Sequence, residues 1–594
     1  MSAYAHLSGR ARQLRVAVAG DVVAAGALAL LGAVILAYTW NRWGNVDNDT
    51  GYDTLAGWRV AHGQLPYVDY VYYYGPLAPL ALGLFSLVGG DGMGPALVFG
   101  LVIATAIVAA TYVLARTRLT PLGAFLATAL VVPVAFSSNQ FSYVDPHTHS
   151  ATLALLLSLL FLLAMERFSA GGSRGWLGAA GACVGLVLLT RPEFAVAVLL
   201  GGAVWLWARR RSGVAKGREL LVFGVPALAI PVVVYGAFLT AVSPHNLLFE
   251  NLYPRDFYHA AASTMLKARA PLTLSSFVQL GAKLVLYVAA FAVAITLIRA
   301  VERRPRLHIA ALVACVGGGL LVVAAAFADP EALRHGLKFA YGWIPAGAAV
   351  AAVILLRQAW KTRSRDGSDH LELSGTVVLA VVAGATYAAF YIHSFFAQMA
   401  VYVLPLAAIF LATLHLRRLA ISRGTALLGI AWLAFLASAG IGLTIKDARV
   451  ESATIHGPGG SIAAKPDQAA VYQQALDWIE RSTKPRAQIL LAPQLTWLYA
   501  LSERGNPLPE LSLLPGALAS SGAESAAIRR LEAQRVPLIV TERRTFSGYG
   551  HTYFGGSFDR ELAAWIRSHY RHAALLGSSG PAEDEVDIWL RRSE

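Results

Sequence analysis

Apolar stretches long enough to cross a bilayer recur from about residue 18 to about residue 445, separated by polar connections. They fall near 18–40, 95–115, 121–137, 148–165, 175–190, 193–208, 219–241, 276–298, 308–327, 343–357, 375–392, 399–415 and 425–445, about thirteen transmembrane helices with several short ones. The pair flanking Thr190-Arg191-Pro192-Glu193 could equally form a re-entrant hairpin. The apolar stretch 77–90 is too short for a comfortable span and reads as a helix lying in the plane of the outer surface. Past Lys446 the pattern changes. Amphipathic stretches at 468–482, 495–504, 525–534 and 558–568 predict helices, and short apolar runs at 488–492, 536–540 and 586–590 predict strands. The expected fold class is a polytopic α-helical membrane protein over 1–445, followed by an extracytoplasmic α/β domain over 446–594.

Composition agrees. Of 594 residues 56% are hydrophobic, and only 14% are charged. The net charge of +14 could suggest nucleic acid, but its distribution does not. Basic residues gather in alternate connections: Arg10, Arg12 and Arg15; Arg116 and Arg118; Arg167 and Arg174; Arg209, Arg210 and Arg211; Arg303, Arg304 and Arg306; Lys361, Arg363 and Arg365; Arg417, Arg418 and Arg423. That bias puts the amino terminus in the cytoplasm and residues 41–94, 138–148, 242–275, 328–342 and the carboxy-terminal domain outside a plasma (inner) membrane. No nucleic-acid partner is expected. The two cysteines, Cys183 and Cys315, lie in apolar segments and predict neither a disulfide nor a thiolate metal site.

Against this apolar background the stretch 45–79 is unusual. It carries Asp47, Asp49, Asp53 and Asp69 among Tyr52, Trp58, Tyr67, Tyr70 and the Tyr72-Tyr73-Tyr74 run. Carboxylates beside a membrane are costly unless solvated, paired or used. One could act as a general base toward an acceptor hydroxyl, and a second could orient the acceptor or help to hold a divalent cation. Alternatively, Asp47 and Asp53 simply cap a helix beginning near Thr54. Basic residues in the external connections are scarce: Arg191, Arg255, Arg334 and Lys338 are the candidates for contacting a phosphate, with Lys267 and Arg269 beside them. Arg255 also has an adjacent partner in Asp256, and Arg191 has one in Glu193. Asp145-Pro146-His147-Thr148-His149 has the spacing of a metal-ligating loop, although its histidines could equally cap a span or bind hydroxyls. The loop 547–556, Ser-Gly-Tyr-Gly-His-Thr-Tyr-Phe-Gly-Gly, could stack on sugar rings or pack as an ordinary surface loop.

Several of these residues fall in a recognisable order. Asp49-Thr50-Gly51, Ala61-His62-Gly63, Pro66-Tyr67-Val68-Asp69 and Gly75-Pro76-Leu77 follow the first span, and Leu189-Thr190-Arg191-Pro192-Glu193 closes a later one. This resembles the integral-membrane glycosyltransferases of the GT-C superfamily, including mannosyl- and arabinosyltransferase types. The resemblance covers most of the membrane part; the carboxy-terminal domain matches only in position and class. It implies transfer of a hexose or pentose from a polyprenyl-phosphate-linked donor to a glycan, lipid or protein acceptor. It also implies a key carboxylate in the first external loop. Asp49 matches that position, two residues before Gly51, and Asp69 matches an assisting one. Where many relatives have an acid pair, Thr50 follows Asp49, so Asp47 and Asp53 remain competitors for the base. Tyr52, Tyr74, His147, His149 and Glu193 are expected to line the substrate. No cofactor is required by this chemistry, with a divalent metal left open. The rival class is a transporter or flippase, which Lys283 inside a span would suit.

Overall fold

A computed structural model of the chain describes residues 2–43, 51–138, 142–213, 217–264, 273–329, 343–362, 367–390, 398–413, 423–577 and 585–592. Each of the thirteen apolar stretches is helical there. The chain begins with α1 (Ser2–Thr39), then α2 (Tyr52–Ala61) and α3 (Leu77–Gly89) in the first long connection. The bundle continues through α4 (Gly94–Arg116), α5 (Pro121–Ala129), α6 (Val132–Ala135), α7 (His149–Ser169), α8 (Arg174–Val187), α9 (Pro192–Arg211) and α10 (Gly217–Phe238). After short turns at Asn246–Leu252 and Tyr258–Ala262 come α11 (Leu274–Glu302), α12 (Pro305–Ala328), α13 (Trp343–Thr362), α14 (Gly367–Phe390), α15 (Gln398–Thr413) and α16 (Arg423–Val450).

Among the described residues seven helices have the length and apolar composition to cross a membrane, in α1, α4, α7, α9, α10, α12 and α16. Their outward faces leave Val22, Leu30, Leu221, Val232 and Leu321 exposed, an apolar surface that suits lipid. The chain is a multi-pass membrane protein. Helix starts follow local chemistry. Pro121 and Pro192 occupy first-turn positions that have no hydrogen bond to lose, and the Thr120 hydroxyl accepts from the Gly123 amide at 3.3 Å. The inner packing layer joins Phe99, Ile103, Leu155, Phe161, Val184, Phe194 and Phe410.

Beyond α16 stand a two-stranded hairpin, β1 (Ala453–Gly457) with β2 (Gly460–Ala464), and a layered α/β unit. Its elements are α17 (Pro466–Ser482), β3 (Leu490–Ala492), α18 (Thr496–Ser502), α19 (Ala523–Ala533), β4 (Leu538–Glu542), α20 (Arg560–His569), β5 (Tyr570–Leu576) and β6 (Val586–Arg591). The sheet order is β3-β4-β6-β5, with β3 parallel to β4 and the other pairs antiparallel. All seven helices and strands expected here are present. The hairpin and β5 are additions: Gly457 and Gly460 close a strand pair rather than forming a plain linker.

One face of the sheet, carrying Leu538, Val540, Val586 and Ile588, shares a core with Leu55, Ala56, Tyr67, Tyr70 and Tyr72 of the first connection. The other face packs Ile539 against Leu562 and Ile566 of α20. The first connection and the carboxy-terminal domain are therefore docked, not merely tethered. Buried Arg59 donates to the Asn506 and Leu508 carbonyls at 2.9 and 2.5 Å, and the Met93 amide donates to the Gly459 carbonyl at 2.9 Å. Gly51, with φ of 90°, lies directly on the Trp497 backbone, where neither a side chain's bulk nor its backbone preference would fit.

Candidate functional site

The site lies at the domain-bearing end of the bundle and begins with the strand-like segment after Tyr70. The Val71 amide donates to the Pro509 carbonyl at 3.0 Å and the Tyr72 amide to Asn251 Oδ1 at 3.0 Å. Further on, the Gly75 and Leu77 amides donate to the Thr190 and Leu189 carbonyls at 2.8 and 3.0 Å. Any Cβ at Gly75 would strike that backbone, so glycine is what lets this segment lie against the α8–α9 junction. The carboxy-terminal domain, the first connection and the bundle thus meet along one short run of chain.

Asp53, at the start of α2, is buried beneath that run. Its Oδ1 accepts from the Tyr72 hydroxyl at 2.7 Å, and its Oδ2 accepts from the His149 amide at 2.6 Å and the Thr148 hydroxyl at 3.1 Å. Tyr72 also meets Ser150 Oγ at 3.1 Å. Asp53 therefore caps α7 from a distant part of the chain, satisfying amide and hydroxyl donors that would otherwise be buried unpaired. Burial pushes its carboxyl up, but hydrogen bonding to His149, that residue's charge and the Tyr72 hydroxyl together hold it below the usual carboxylate value. His149 Nδ1 lies 3.6 Å from Asp53 Oδ2, and its ring sits 5.5 Å from that of Phe99.

Asp145 is the second buried carboxyl of the cluster. Its Oδ2 has no hydrogen-bond partner among the described residues. Burial raises it to about 6, against the pull of His149 and with a further push from Asp53. Two carboxyls beside one histidine are thus driven in opposite directions. His147 is half-buried. Asp145, His147 and His149 do not form a cation-holding trio, and no such group of three exists among the described residues. The physical reason is that His149 opens α7 and turns toward Asp53.

Tyr74 connects this cluster to Arg191. Its ring lies edge-on to Tyr72 at 5.8 Å, its carbonyl accepts from the Tyr67 hydroxyl at 2.5 Å, and the Arg191 guanidinium stands 4.8 Å above its face. Arg191 caps the start of α9 and pairs with Glu193 in that helix's first turn, Nε to Oε1 at 2.7 Å. Tyr52 stacks on Tyr72 at 5.8 Å. The structure thus brings together Asp53, Asp145, His149, Tyr52, Tyr74, Arg191 and Glu193.

Other expected residues stand apart. Asp69 is exposed and accepts from the Leu65 amide at 2.7 Å, closing its own local turn. Arg255 is half-exposed, 3.7 Å from Asp256 and over the Phe249 ring. Its neighbour Phe257 makes the closer contact with the first connection, stacking on Tyr73 at 5.2 Å. Asp47, Asp49, Arg334 and Lys338 lie outside the described residues. Tyr72, Thr148, Ser150 and Asn251 belong to the site although sequence reasoning gave them no role. Tyr72 was the one with a visible signal, as part of the Tyr72-Tyr73-Tyr74 run.

No family model matches the chain, and no curated protein does. Similar solved structures include the apo oligosaccharyltransferase of Archaeoglobus fulgidus, at TM-score 0.45 and 15% identity, covering 87% of this chain and 69% of that one. The oligosaccharyltransferase AglB from the same organism, in complex with an inhibitory peptide and a dolichol-phosphate, matches at TM-score 0.44 and 17% identity with the same coverage. ArnT from Cupriavidus metallidurans bound to undecaprenyl phosphate matches at TM-score 0.42 and 12% identity, covering 96% of this chain and 98% of that one. At these identities and TM-scores the likenesses carry no information about this chain's chemistry.

Proposed function

We propose that this protein is a membrane glycosyltransferase, taking a hexose or pentose from a polyprenyl-phosphate-linked donor and placing it on an acceptor hydroxyl at the external face of the plasma membrane. The observation that carries this reading is the placement of Arg191. A guanidinium is held on an aromatic face at the amino end of a membrane-length helix, beside a cluster of buried carboxyls, tyrosines and histidine. A guanidinium with a helix amino end offers a lipid-linked phosphate charge and directed N–H groups. Glu193 orients Arg191 and gives way to the phosphate when the donor binds.

In the reaction the acceptor oxygen forms a bond to the sugar's anomeric carbon as the bond from that carbon to the phosphate oxygen breaks. The electron pair leaves with the polyprenyl phosphate, whose charge Arg191 offsets. The acceptor proton passes to a carboxylate of the first external loop. Asp49 is the proposed base on its motif position, with Asp47 the competitor. Asp53 suits that task poorly, since both of its oxygens accept hydrogen bonds and its carboxyl is held down. It acts instead as a positioning residue, tying Tyr72 to the start of α7. Asp69 orients the loop through the Leu65 amide.

Arg191 gives a direct test. In proteoliposomes supplied with a panel of polyprenyl-phosphate pentoses and hexoses, Arg191→Ala should raise the donor KM about tenfold or more, with Arg191→Lys intermediate. It should also weaken binding of polyprenyl phosphate alone. Unchanged donor KM and unchanged lipid-phosphate binding in both variants would overturn the assignment.

A further inference from the structure

A second site lies in the carboxy-terminal domain, on the sheet face turned away from the first connection. A cavity of about 690 Å³ opens between β4, β5 and β6, the helix α20 and the loop after β4. That volume falls in the usual range for a small-molecule site. Its floor is set by strand register, which places Thr541 opposite Asp587 and His572 opposite Trp589.

The lining is fixed in advance. Buried Asp587 accepts from Arg543 Nε at 2.9 Å and Arg543 Nη2 at 3.3 Å, and His572 Nε2 meets it at 2.8 Å. The Trp589 indole N–H donates to Thr541 Oγ1 at 3.1 Å, which pins the ring by its polar edge. The His572 ring meets that of Trp589 at 4.9 Å. On the rim, Tyr553 is 51% exposed, so its ring is available to a ligand. Arg567 is exposed and makes no ion pair among the described residues.

We infer that this cavity is a saccharide-binding subsite, taking one or two neutral sugar units. A sugar ring presents apolar C–H faces flanked by hydroxyls in its plane. Aromatic rings on the rim and floor match the faces. A pre-set carboxylate–guanidinium–hydroxyl array matches the hydroxyls, with its donors and acceptors already oriented. Arg543 is compensated by both Asp587 and Glu585, at 2.9 and 2.8 Å, which makes the floor a poor trap for phosphate. The aromatic loop 547–556 thus has a role through Tyr553. If the transferase reading holds, the bound saccharide is a distal part of the acceptor glycan. The binding itself does not depend on that reading.

The test uses the full-length protein in detergent and neutral mono- and disaccharides of arabinose, mannose, galactose and glucose, with binding followed by ligand-observed NMR and tryptophan fluorescence. At least one sugar should bind, and Tyr553→Ala should weaken it at least fivefold. Asp587→Asn should do the same, and circular dichroism and thermal unfolding should match wild type for Tyr553→Ala. Arg191→Ala should leave saccharide binding unchanged. Absence of binding across the panel, or equal binding by wild type and both pocket variants, would overturn the subsite. Saccharide binding without any sugar transfer would leave the subsite standing and remove the transferase reading.

Discussion

The two ends of the helical bundle use charge differently. At the end away from the carboxy-terminal domain, Asp21, Glu166 and Glu219 each meet a guanidinium on another element. Arg116 reaches Asp21 at 2.6 Å, Arg118 reaches Glu166 at 3.7 Å and Arg209 reaches Glu219 at 3.5 Å. Arg209 and Arg211 also lie over Trp205 and Trp360 at 4.8 and 4.3 Å. These contacts staple helix ends together. At the domain-bearing end, Asp53 instead faces Tyr72, Thr148 and His149, Asp145 lies buried with an unpaired carboxyl oxygen, and Arg191 shares one turn with Glu193 and an aromatic face with Tyr74. Paired charge is sufficient for structure. A carboxylate held by hydroxyls and an amide beside an imidazole, near a guanidinium that shares its element with its acid, is instead the kind of arrangement found at functional sites.

That contrast can be broken most severely at Asp53. Asp53→Ala leaves the Tyr72 hydroxyl, the Thr148 hydroxyl and the His149 amide without their acceptor, and the cost should be about 3 kcal/mol or more in unfolding free energy. Asp53→Asn keeps one acceptor oxygen and should lose less. Equal stability of Asp53→Ala and wild type would show that this end is not organised through Asp53.

Asp145 makes a pH-dependent prediction. Its folded-state carboxyl titrates at about 6, above the ordinary value of 3.8. Ionising it inside the protein therefore costs stability as pH rises through about 6, up to about 3 kcal/mol by linkage, and that cost disappears below about pH 4. Asp145→Asn should accordingly raise stability at pH 7.5 and change it little at pH 4. An equal effect at both values would contradict the assignment.

The opposite end offers the smallest effect. Arg209→Met alone leaves Glu219 buried without its partner and should destabilise. The pair Arg209→Met with Glu219→Leu should return to within about 1 kcal/mol of wild type. Neither should alter the donor KM. A shift in KM in the double variant would mean that the two ends are coupled.

These differences also explain what the chain discloses before folding. The apolar helices were legible because long apolar runs need no partner to be recognised, and the α/β elements because their periodicities differ; of the thirteen expected spans, seven have spanning length and composition among the described residues. The strand β5 was not, because Tyr570–Leu576 follows α20 without a break and its partner β6 comes from further along the chain. The site was half legible. Arg191, Glu193, Tyr74 and His149 stood out as polar or aromatic residues beside apolar runs. The roles of Asp53 and Asp69 were not readable. One depends on Thr148 and His149, far off in sequence, and the other on a local turn that turns its carboxylate onto the Leu65 amide.

On the proposed reading, the first connection carries the base for sugar transfer. The most direct measurement is transfer from polyprenyl-phosphate sugars by the purified protein in proteoliposomes, wild type against Asp49→Asn. The wild type should transfer at least one sugar. The variant should fold and bind polyprenyl phosphate normally while its kcat falls by about 100-fold or more. Full turnover by Asp49→Asn, with Asp47→Asn equally active, would contradict the account.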